Sequence, residues 1–240
     1  MIRPGFYLWI ALATVVCAAE SFDVVSVKPN ASSQGRSTEQ TNSGHVMAEN
    51  ITAISMIEQA FGVRAFQISG GPGWMITDGF DVNATTGTTK DLNDIELQPY
   101  WESLLTGRFR MKYHRESKEM QVYSLTVAKS GAKLTGHQGG GDTSTHISNG
   151  RDRVSVTSTN ISMTSFAGLL GRRLDRMVID KTGLSGSYDV SVDWAPEAST
   201  DTDEASIFTA LQDQLGLKLE SGKAPVEIIV IDGLERPGDN

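Results

Sequence analysis

An internal repeat is the feature that most constrains how this chain folds. The segments HVMAENITAISMIEQAFG (45–62) and RVSVTSTNISMTSFAGLLG (153–171) share an Asn-Ile-Thr or Asn-Ile-Ser core. Three further pairs of similar motifs follow in the same order: 72–82 with 182–190, 104–113 with 210–219, and 122–127 with 226–231. Self-similarity that keeps one order along a chain indicates a duplicated structural unit. The sequence therefore predicts two related halves.

The repeat also predicts the domain organisation. A chain of 240 residues suits one large domain or two small ones, and we place the first half at 20–135 and the second at 151–240. The intervening segment GHQGGGDTSTHISNG (136–150) is too polar and glycine-rich to pack, so it is predicted to be a linker. The polar segment 31–44 is predicted to be a long loop for the same reason.

Each half is predicted to contain strands and two helices. Thr52 and Ser162 are suited to cap the first helix of each half, because a hydroxyl oxygen can accept a hydrogen bond from a free backbone N–H. Apolar residues then recur at helical spacing. These are Ile54, Ile57 and Phe61 in the first half and Met163, Phe166 and Leu170 in the second. The expected fold is α+β, with helices on one face of mixed, mostly antiparallel sheets.

The N-terminal segment 1–19 is predicted to be a secretory signal peptide. One cation, Arg3, precedes an apolar run from Phe6 to Val16, and small residues follow. The run is too short to span a membrane comfortably. Lipidation of Cys17 is the alternative, although Val16 fits a lipoprotein signal poorly. We expect export to the periplasm or the exterior and no transmembrane segment in the mature chain.

Composition excludes several functional classes. The formal net charge of −8 argues against a general nucleic-acid or membrane-surface binder. Removal of the signal peptide would leave no cysteine, which excludes disulfides, thiol nucleophiles and zinc-thiolate sites. The 4 histidines lack metal-binding spacing. We therefore expect neither a metal nor a cofactor.

The glycine-rich stretch QISGGPGWM (67–75) is predicted to be a turn between strands. A phosphate-binding loop would lead directly into a helix and would be completed by a Lys-Ser/Thr pair, whereas this stretch leads into FDV. Pro72 is expected to fix one backbone angle, and Gly73 to adopt a positive one. Trp74 is expected to pack at the edge of the core.

A candidate binding surface lies in the segment RFRMKYH (108–114). Its basic residues alternate with apolar ones, and a strand would direct the two sets to opposite faces. We call the predicted basic face the basic stripe: Arg108, Arg110, Lys112 and His114. Together with Trp74, it could contact an anionic partner or polymer. An ordinary solvated sheet face is the alternative.

No catalytic residues are predicted. The chain has no G-x-S-x-G nucleophile motif. Asp81 and Asp189 occupy equivalent positions in the repeat, and we expect them to make structural hydrogen bonds.

Several long motifs resemble those of a family of secreted proteins of soil bacteria. They are FDVVSVKPN, FGVRAFQISGGPGW, LLTGRFRMKYHRESKEMQVYSLTVAKSGAKL, VIDKTGLSGSYDVSVDW and FTALQDQLGLKLESGKAPVEIIVIDGLERP. The family is expanded in Acidobacteria and is known as a domain of unknown function. The resemblance implies an exported bacterial protein, but no reaction and no catalytic residues. The domain also occurs attached to membrane metallopeptidases of the antibiotic-sensor type, whose H-E-x-x-H motif this chain lacks.

A weaker likeness, at the level of fold, is to the short N-terminal domains of secretins and TonB-dependent receptors, which make protein–protein contacts. The resulting hypothesis is a non-enzymatic extracytoplasmic binding or interaction module. Its partner would be an envelope protein or an anionic polymer. One alternative is a hydrolase of envelope or environmental polymers that uses paired carboxylates. A passive surface protein without a specific ligand is the other alternative.

Overall fold

The computed structural model describes residues 20–30, 37–195 and 206–238. The predicted signal peptide, with Cys17, lies outside the described residues. Within these ranges the fold is mixed α+β and mostly strand, which confirms the α+β part of the predicted fold class. No helix in the described ranges is long and apolar enough to cross a membrane.

The described residues form twelve strands and five α-helices. The strands are β1 (Val24–Pro29), β2 (Thr38–Asn42), β3 (His45–Thr52), β4 (Ile68–Gly70), β5 (Gly79–Thr85), β6 (Lys112–Val127), β7 (Thr135–Gly136), β8 (Ser144–Asn149), β9 (Val154–Ser162), β10 (Val178–Asp180), β11 (Ser187–Trp194) and β12 (Leu217–Gly233). The helices are α1 (Ala53–Phe61), α2 (Trp74–Thr77), α3 (Asp94–Arg108), α4 (Met163–Leu174) and α5 (Ile207–Leu215).

The chain divides into two compact units whose boundaries differ from those of the predicted halves. The described part of unit 1 consists of 20–30, 37–65, 70–113 and 231–238. The described part of unit 2 consists of 66–69, 114–195 and 206–230. The chain therefore enters each unit more than once, which a division into two consecutive halves does not anticipate.

Unit 1 is built on an antiparallel sheet with the strand order β1-β5-β3-β2. Alternate side chains of β3 and β5 are buried, as expected where one sheet face meets a core. Helices α1 and α3 contact each other. The two helices bury nine residues, Ala53, Met56, Ile57, Ala60, Phe61, Leu97, Trp101, Leu104 and Leu105.

Local sequence determines where these helices begin and end. The Thr52 side chain accepts a hydrogen bond from the Ser55 backbone N–H, which confirms the predicted cap of α1. Helix α1 ends at Gly62, whose φ of 62° lies in the left-handed region that glycine adopts without strain. Helix α3 begins with a capping box in which Asn93 and Glu96 exchange side-chain-to-backbone hydrogen bonds.

Unit 2 contains an antiparallel sheet in the order β7-β11-β9-β8 and takes part in a second sheet, ordered β10-β6-β12-β4. Ser162 caps α4 as predicted, and Ser206 caps α5. The core of this unit joins α4 and α5 to the strands. Its large apolar members include Leu125, Val156, Phe166, Leu169, Leu170, Val192, Leu211 and Leu217.

Corresponding features occur at the strand–helix junctions of the two units. Asn50 and Asn160 both have a φ of 54°. The Asn50 backbone N–H donates to Asp81 Oδ1 at 3.0 Å, and the Asn160 N–H donates to Asp189 Oδ1 at 3.1 Å. These contacts confirm that both aspartates make structural hydrogen bonds.

Two segments that were predicted to be unpacked contain strands. Within the predicted linker 136–150, β8 pairs with β9, and Ile147 packs against the core of unit 2. Within the predicted loop 31–44, β2 pairs with β3. The linker and loop interpretations are wrong for these strands. Backbone hydrogen bonding to an adjacent strand does not require apolar side chains. The polar composition of β2 and β8 therefore did not indicate that they are strands.

Candidate functional site

The residues of the predicted basic stripe do not form one strand face. Arg108 is the last residue of α3, and its guanidinium donates to the Val25 carbonyl oxygen at 3.2 Å. Arg110 follows the helix with a φ of 49° and lies 3.7 Å from a Glu235 carboxylate oxygen. Only Lys112 and His114 belong to β6. The prediction of a single strand was wrong, because Arg108 ends a helix and Arg110 lies in a left-handed connection before β6.

The predicted alternation of burial is present nevertheless. Phe109 and Met111 are buried, with 0% and 4% of their surfaces exposed, whereas the four basic residues are exposed. Whether the basic residues bind a partner stays a prediction.

Trp74 has a packing role in unit 1. Its ring lies 6.1 Å from that of Phe80 and 6.4 Å from that of Phe109, measured between centroids. The Arg236 guanidinium lies 5.0 Å from the Trp74 ring centroid and also donates to Asp78 Oδ2. Trp74 therefore belongs to an aromatic cluster at the core edge, as predicted.

The glycine-rich stretch connects β4 to β5 as predicted, but it does so through the short helix α2, so the expectation that it leads directly into a strand was wrong. The positive φ angles occur at Gly70 and Gly71, both 77°, whereas Gly73 has a φ of −59°. The expectation for Gly73 was wrong because this residue precedes the short helix α2 and adopts a right-handed conformation.

A cleft that sequence reasoning did not identify opens in unit 1. Its volume is about 520 Å³, within the range of about 300–1,000 Å³ typical of small-molecule sites. We call it the α1–α3 cleft, because most of its lining comes from these helices. The lining residues are Glu39 and Thr41 of β2, Ser55, Glu58 and Gln59 of α1, Gly62, Val63 and Arg64 after α1, and Asp94, Leu97, Gln98 and Trp101 of α3.

Strand pairing directs two polar side chains of β2 towards the cleft. Glu39 is paired with Ala48, and Thr41 with Val46. Both partners are buried in the core, at 1% and 0% exposure. Directly paired residues of antiparallel strands share a sheet face, so Glu39 and Thr41 lie on the face that carries the helices.

Helix α1 ends beside α3 at the cleft wall. A Cβ atom on Gly62 would lie 2.7 Å from Gln98 Nε2, too close for an undisturbed contact. Glycine at this position therefore permits both the left-handed helix end and the close approach of Gln98. The Glu58 side chain accepts a hydrogen bond from the Ala65 backbone N–H at 2.9 Å, which holds the chain that follows α1.

Glu39 is the carboxylate most perturbed by the cleft. Partial desolvation by the cleft walls raises the pKa of Glu39 above its ordinary value, and the nearby Asp94 charge raises it further. The Gln59 side-chain amide donates to Glu39 Oε2 at 2.5 Å and partly opposes this rise in the pKa. The cleft thus holds a carboxyl group whose ionisation is less favourable than in an unperturbed glutamate.

Trp101 also contributes to the cleft lining. Its side chain is buried, at 1% exposure. Among the residues that the structure describes, its Nε1 is the single buried side-chain nitrogen or oxygen without a hydrogen-bond partner. An unsatisfied buried donor costs about 1–3 kcal/mol, so an acceptor that reached this atom would be stabilised.

The acidic residues of the cleft do not converge on one point. The described part of the chain contains no group of three or more His, Cys, Asp or Glu side chains placed to hold a metal ion. Glu39, Glu58 and Asp94 line the same cleft without forming such a group.

The structure thus defines a class: a mixed α+β protein of two units, one of which carries a polar, predominantly acidic cleft. Residues 54–234 match the family DUF3738, described as a protein of unknown function. The match spans most of the sequence, and the chain belongs to the DUF3738 family. Neither a curated protein nor a solved structure matches it.

Proposed function

We propose that this protein is a non-enzymatic extracytoplasmic binding module whose ligand site is the α1–α3 cleft. The observation that carries this proposal is the cleft itself, which combines a small-molecule volume with carboxylate, amide and hydroxyl groups. Its walls are secondary-structure elements whose ends are fixed by caps. Such walls can hold polar groups in place for a ligand.

The proposal includes export and a bacterial source. The signal-peptide pattern of 1–19 supports passage to the periplasm or the exterior. The resemblance to secreted proteins of soil bacteria, especially Acidobacteria, supports the same location.

We also propose that the two units descend from one duplicated module. The matched Asn50 and Asn160 geometries and their hydrogen bonds to Asp81 and Asp189 support this origin. The strand orders β1-β5-β3-β2 and β7-β11-β9-β8 support this origin as well. The repeat-equivalent strands β5 and β11 are second in their sheets, and the repeat-equivalent strands β3 and β9 are third. The likeness to secretin and TonB-receptor modules is part of this proposal and favours an envelope protein as a partner.

A hydrolase that uses paired carboxylates is the second candidate, and one observation favours it. Glu39 has a raised pKa, and the Asp94 charge contributes to the rise. Glycoside hydrolases use a carboxyl group of raised pKa as the acid and place a second carboxyl group nearby. The cleft and both of these acids, Glu39 and Asp94, lie within unit 1.

One experiment separates the two candidates. The purified protein would be incubated with soluble envelope-derived glycans and peptides, with ligand-observed NMR to detect binding and mass spectrometry to detect cleavage. A binding module is expected to bind a fragment and leave it chemically unchanged. Cleavage products that disappear in Glu39→Gln would favour the hydrolase and contradict the proposal.

A pair of tryptophan variants tests the location of the site. Thr41→Trp fills the cleft from β2, and an aromatic residue is well tolerated in a strand. Gln40→Trp is the matched control, because Gln40 pairs with the exposed Met47 and lies on the opposite sheet face. Thr41→Trp should abolish binding and Gln40→Trp should preserve it. Equal binding by both variants would exclude the cleft as the site.

A further inference from the structure

We infer that the α1–α3 cleft recognises an organic cation, a primary amine or a guanidinium carried on a short apolar stem. This inference rests on the binding function proposed for the cleft and adds the chemical class of its ligand. A free amine and a basic peptide side chain share this chemistry, and the experiment below distinguishes them.

The charge of the lining favours a cation. Glu39, Glu58 and Asp94 supply three carboxylates, and Arg64 supplies one guanidinium. The ionised carboxylates thus outnumber the basic group, and an anionic ligand would meet net repulsion. Partial desolvation of the cleft strengthens the preference for a cation over an anion, since charges interact more strongly there than in bulk water.

The distribution of acceptors favours an extended organic cation over a metal ion. The carboxylates line the cleft without converging to a three-ligand group within the described residues. The hydroxyls of Thr41 and Ser55 supply further acceptors. An ammonium or guanidinium group donates several hydrogen bonds in different directions and can use acceptors that are spread apart.

The apolar part of the lining suits the stem of such a ligand. Leu97 and Trp101 are buried in the core, at 3% and 1% exposure, yet both contribute to the cleft wall. Side chains such as lysine bury a hydrocarbon stem against an apolar surface while the charged head contacts polar groups.

The state of Glu39 supports this assignment. Partial desolvation and, to a smaller extent, the nearby Asp94 charge raise the pKa of Glu39 in the unliganded cleft. A cation between these groups would relieve the repulsion and favour the ionised form of Glu39. Cation binding should therefore release a proton from the protein in the pH range where Glu39 titrates, and it should weaken as the pH falls through this range.

Calorimetric titration of the purified protein tests the inference. The probe is Nα-acetyl-L-lysine amide, a monocation, and the control is the Nα,Nε-diacetyl amide, its neutral analogue. A ligand of this size is expected to bind with a Kd of about 1 mM. Cadaverine, an amine without peptide groups, distinguishes a free amine from a basic peptide residue. Nα-acetyl-L-arginine amide is the guanidinium probe.

Matched variants locate the charge recognition. Glu39→Gln and Asp94→Asn should each weaken binding of the lysine probe by about five- to tenfold. Glu49→Gln removes the same charge from an exposed residue of β3 that lines a separate groove, and it should leave the Kd unchanged. Circular dichroism spectra would verify that each variant is folded.

Two outcomes would overturn the inference. One is equal affinity for the cationic and neutral lysine probes. The other is no binding of any of the three cationic probes at about 10 mM, ten times the expected Kd. If a neutral glycan then bound wild type but not Thr41→Trp, the cleft would remain the ligand site and only the cationic class would be wrong. If Thr41→Trp bound the lysine probe and the neutral glycan as well as wild type does, the proposed function itself would be contradicted.

Discussion

Gln59 donates a hydrogen bond from Nε2 to Glu39 Oε2 over 2.5 Å and thereby links helix α1 to strand β2 at the α1–α3 cleft. The bond partly offsets the unfavourable environment of the Glu39 carboxylate, but desolvation and the Asp94 charge leave its pKa raised. Glu39 is thus held in position while its pKa stays above the ordinary value. This combination is typical of binding and catalytic groups rather than of ordinary surface ion pairs.

The first prediction concerns the pH dependence of stability. Because the pKa of Glu39 is raised above its ordinary value of 4.5, the folded protein binds more protons than the unfolded chain just above this pH. Its free energy of unfolding should therefore fall as the pH rises through the window between the two pKa values. Glu39→Gln should remove this part of the slope, as measured by urea denaturation at a series of pH values.

The matched control for this prediction is Glu49→Gln, which removes an exposed carboxylate outside the α1–α3 cleft and should retain the wild-type slope. An unchanged slope in Glu39→Gln would show that Glu39 titrates alike in the folded and unfolded chains.

The second prediction concerns Asp189, whose pKa shift has the opposite sign. The Asn160 backbone N–H and the His137 ring, whose Nδ1 lies 2.8 Å from Asp189 Oδ1, hold the pKa of Asp189 below its ordinary value of 3.8. Its stabilising contribution is complete above that value and is lost as the pH falls through the lowered pKa. Asp189→Asn should lower the Tm at pH 7, and the difference from wild type should shrink in strong acid.

Asp142→Asn is the control for Asp189→Asn, because Asp142 is exposed. It should leave the Tm at pH 7 close to that of wild type. A constant difference between Asp189→Asn and wild type from pH 7 to pH 2 would contradict the proposed role of the carboxylate charge.

The third prediction concerns the left-handed backbone at Asn50. A φ of 54° is tolerated by asparagine and glycine, but a β-branched side chain is strained there. Asn50→Val should reduce the free energy of unfolding by about 1–2 kcal/mol more than Asn50→Gly does. Urea denaturation of the two variants measures this difference. Equal stability of the valine and glycine variants would show that the left-handed conformation is not maintained.

The fourth prediction concerns Gly216, which ends helix α5 with a φ of 63°. A Cβ atom there would lie 2.0 Å from the Gly131 carbonyl oxygen. Gly216→Ala should therefore destabilise the protein by more than about 2 kcal/mol, through both backbone strain and the steric clash. Gly222→Ala is the control, because a Cβ at Gly222 would meet no atom within 4 Å. Similar destabilisation by the two alanines would argue against the close contact.

Sequence reasoning succeeded where the determining interactions are local. The Asn-Ile-Thr and Asn-Ile-Ser motifs placed both strand–helix junctions, because a capping hydroxyl and apolar residues at helical spacing act within a few residues. The match of 72–82 with 182–190 identified Asp81 and Asp189 as equivalent residues, and both make the expected structural hydrogen bonds.

The cleft depends on contacts that are distant in sequence, and for that reason it was missed. Glu39 lies in a polar segment that resembles a loop, and only its pairing with Ala48 places it on the core side of the sheet. Asp94 reaches the same cleft from a helix that begins 55 residues later in the chain than Glu39. A polar segment followed by an alternating strand was the available signal for the β2–β3 hairpin.

In the basic stripe, a helix end was mistaken for part of a strand. Alternation over 108–114 was consistent with a strand, but helix α3 continues through Arg108 and the left-handed Arg110 separates it from β6. A seven-residue pattern is too short to distinguish these possibilities, because a helix end and a strand start can produce the same sequence of buried and exposed residues.

The most direct test of the central claim is a map of amide chemical shifts on isotope-labelled protein titrated with Nα-acetyl-L-lysine amide. We predict that the largest shifts cluster at Thr41, Gln59 and Gln98, which line the α1–α3 cleft. Saturating shifts confined to the basic stripe, or no saturable shift in a folded sample, would contradict the claim that the cleft is the ligand site.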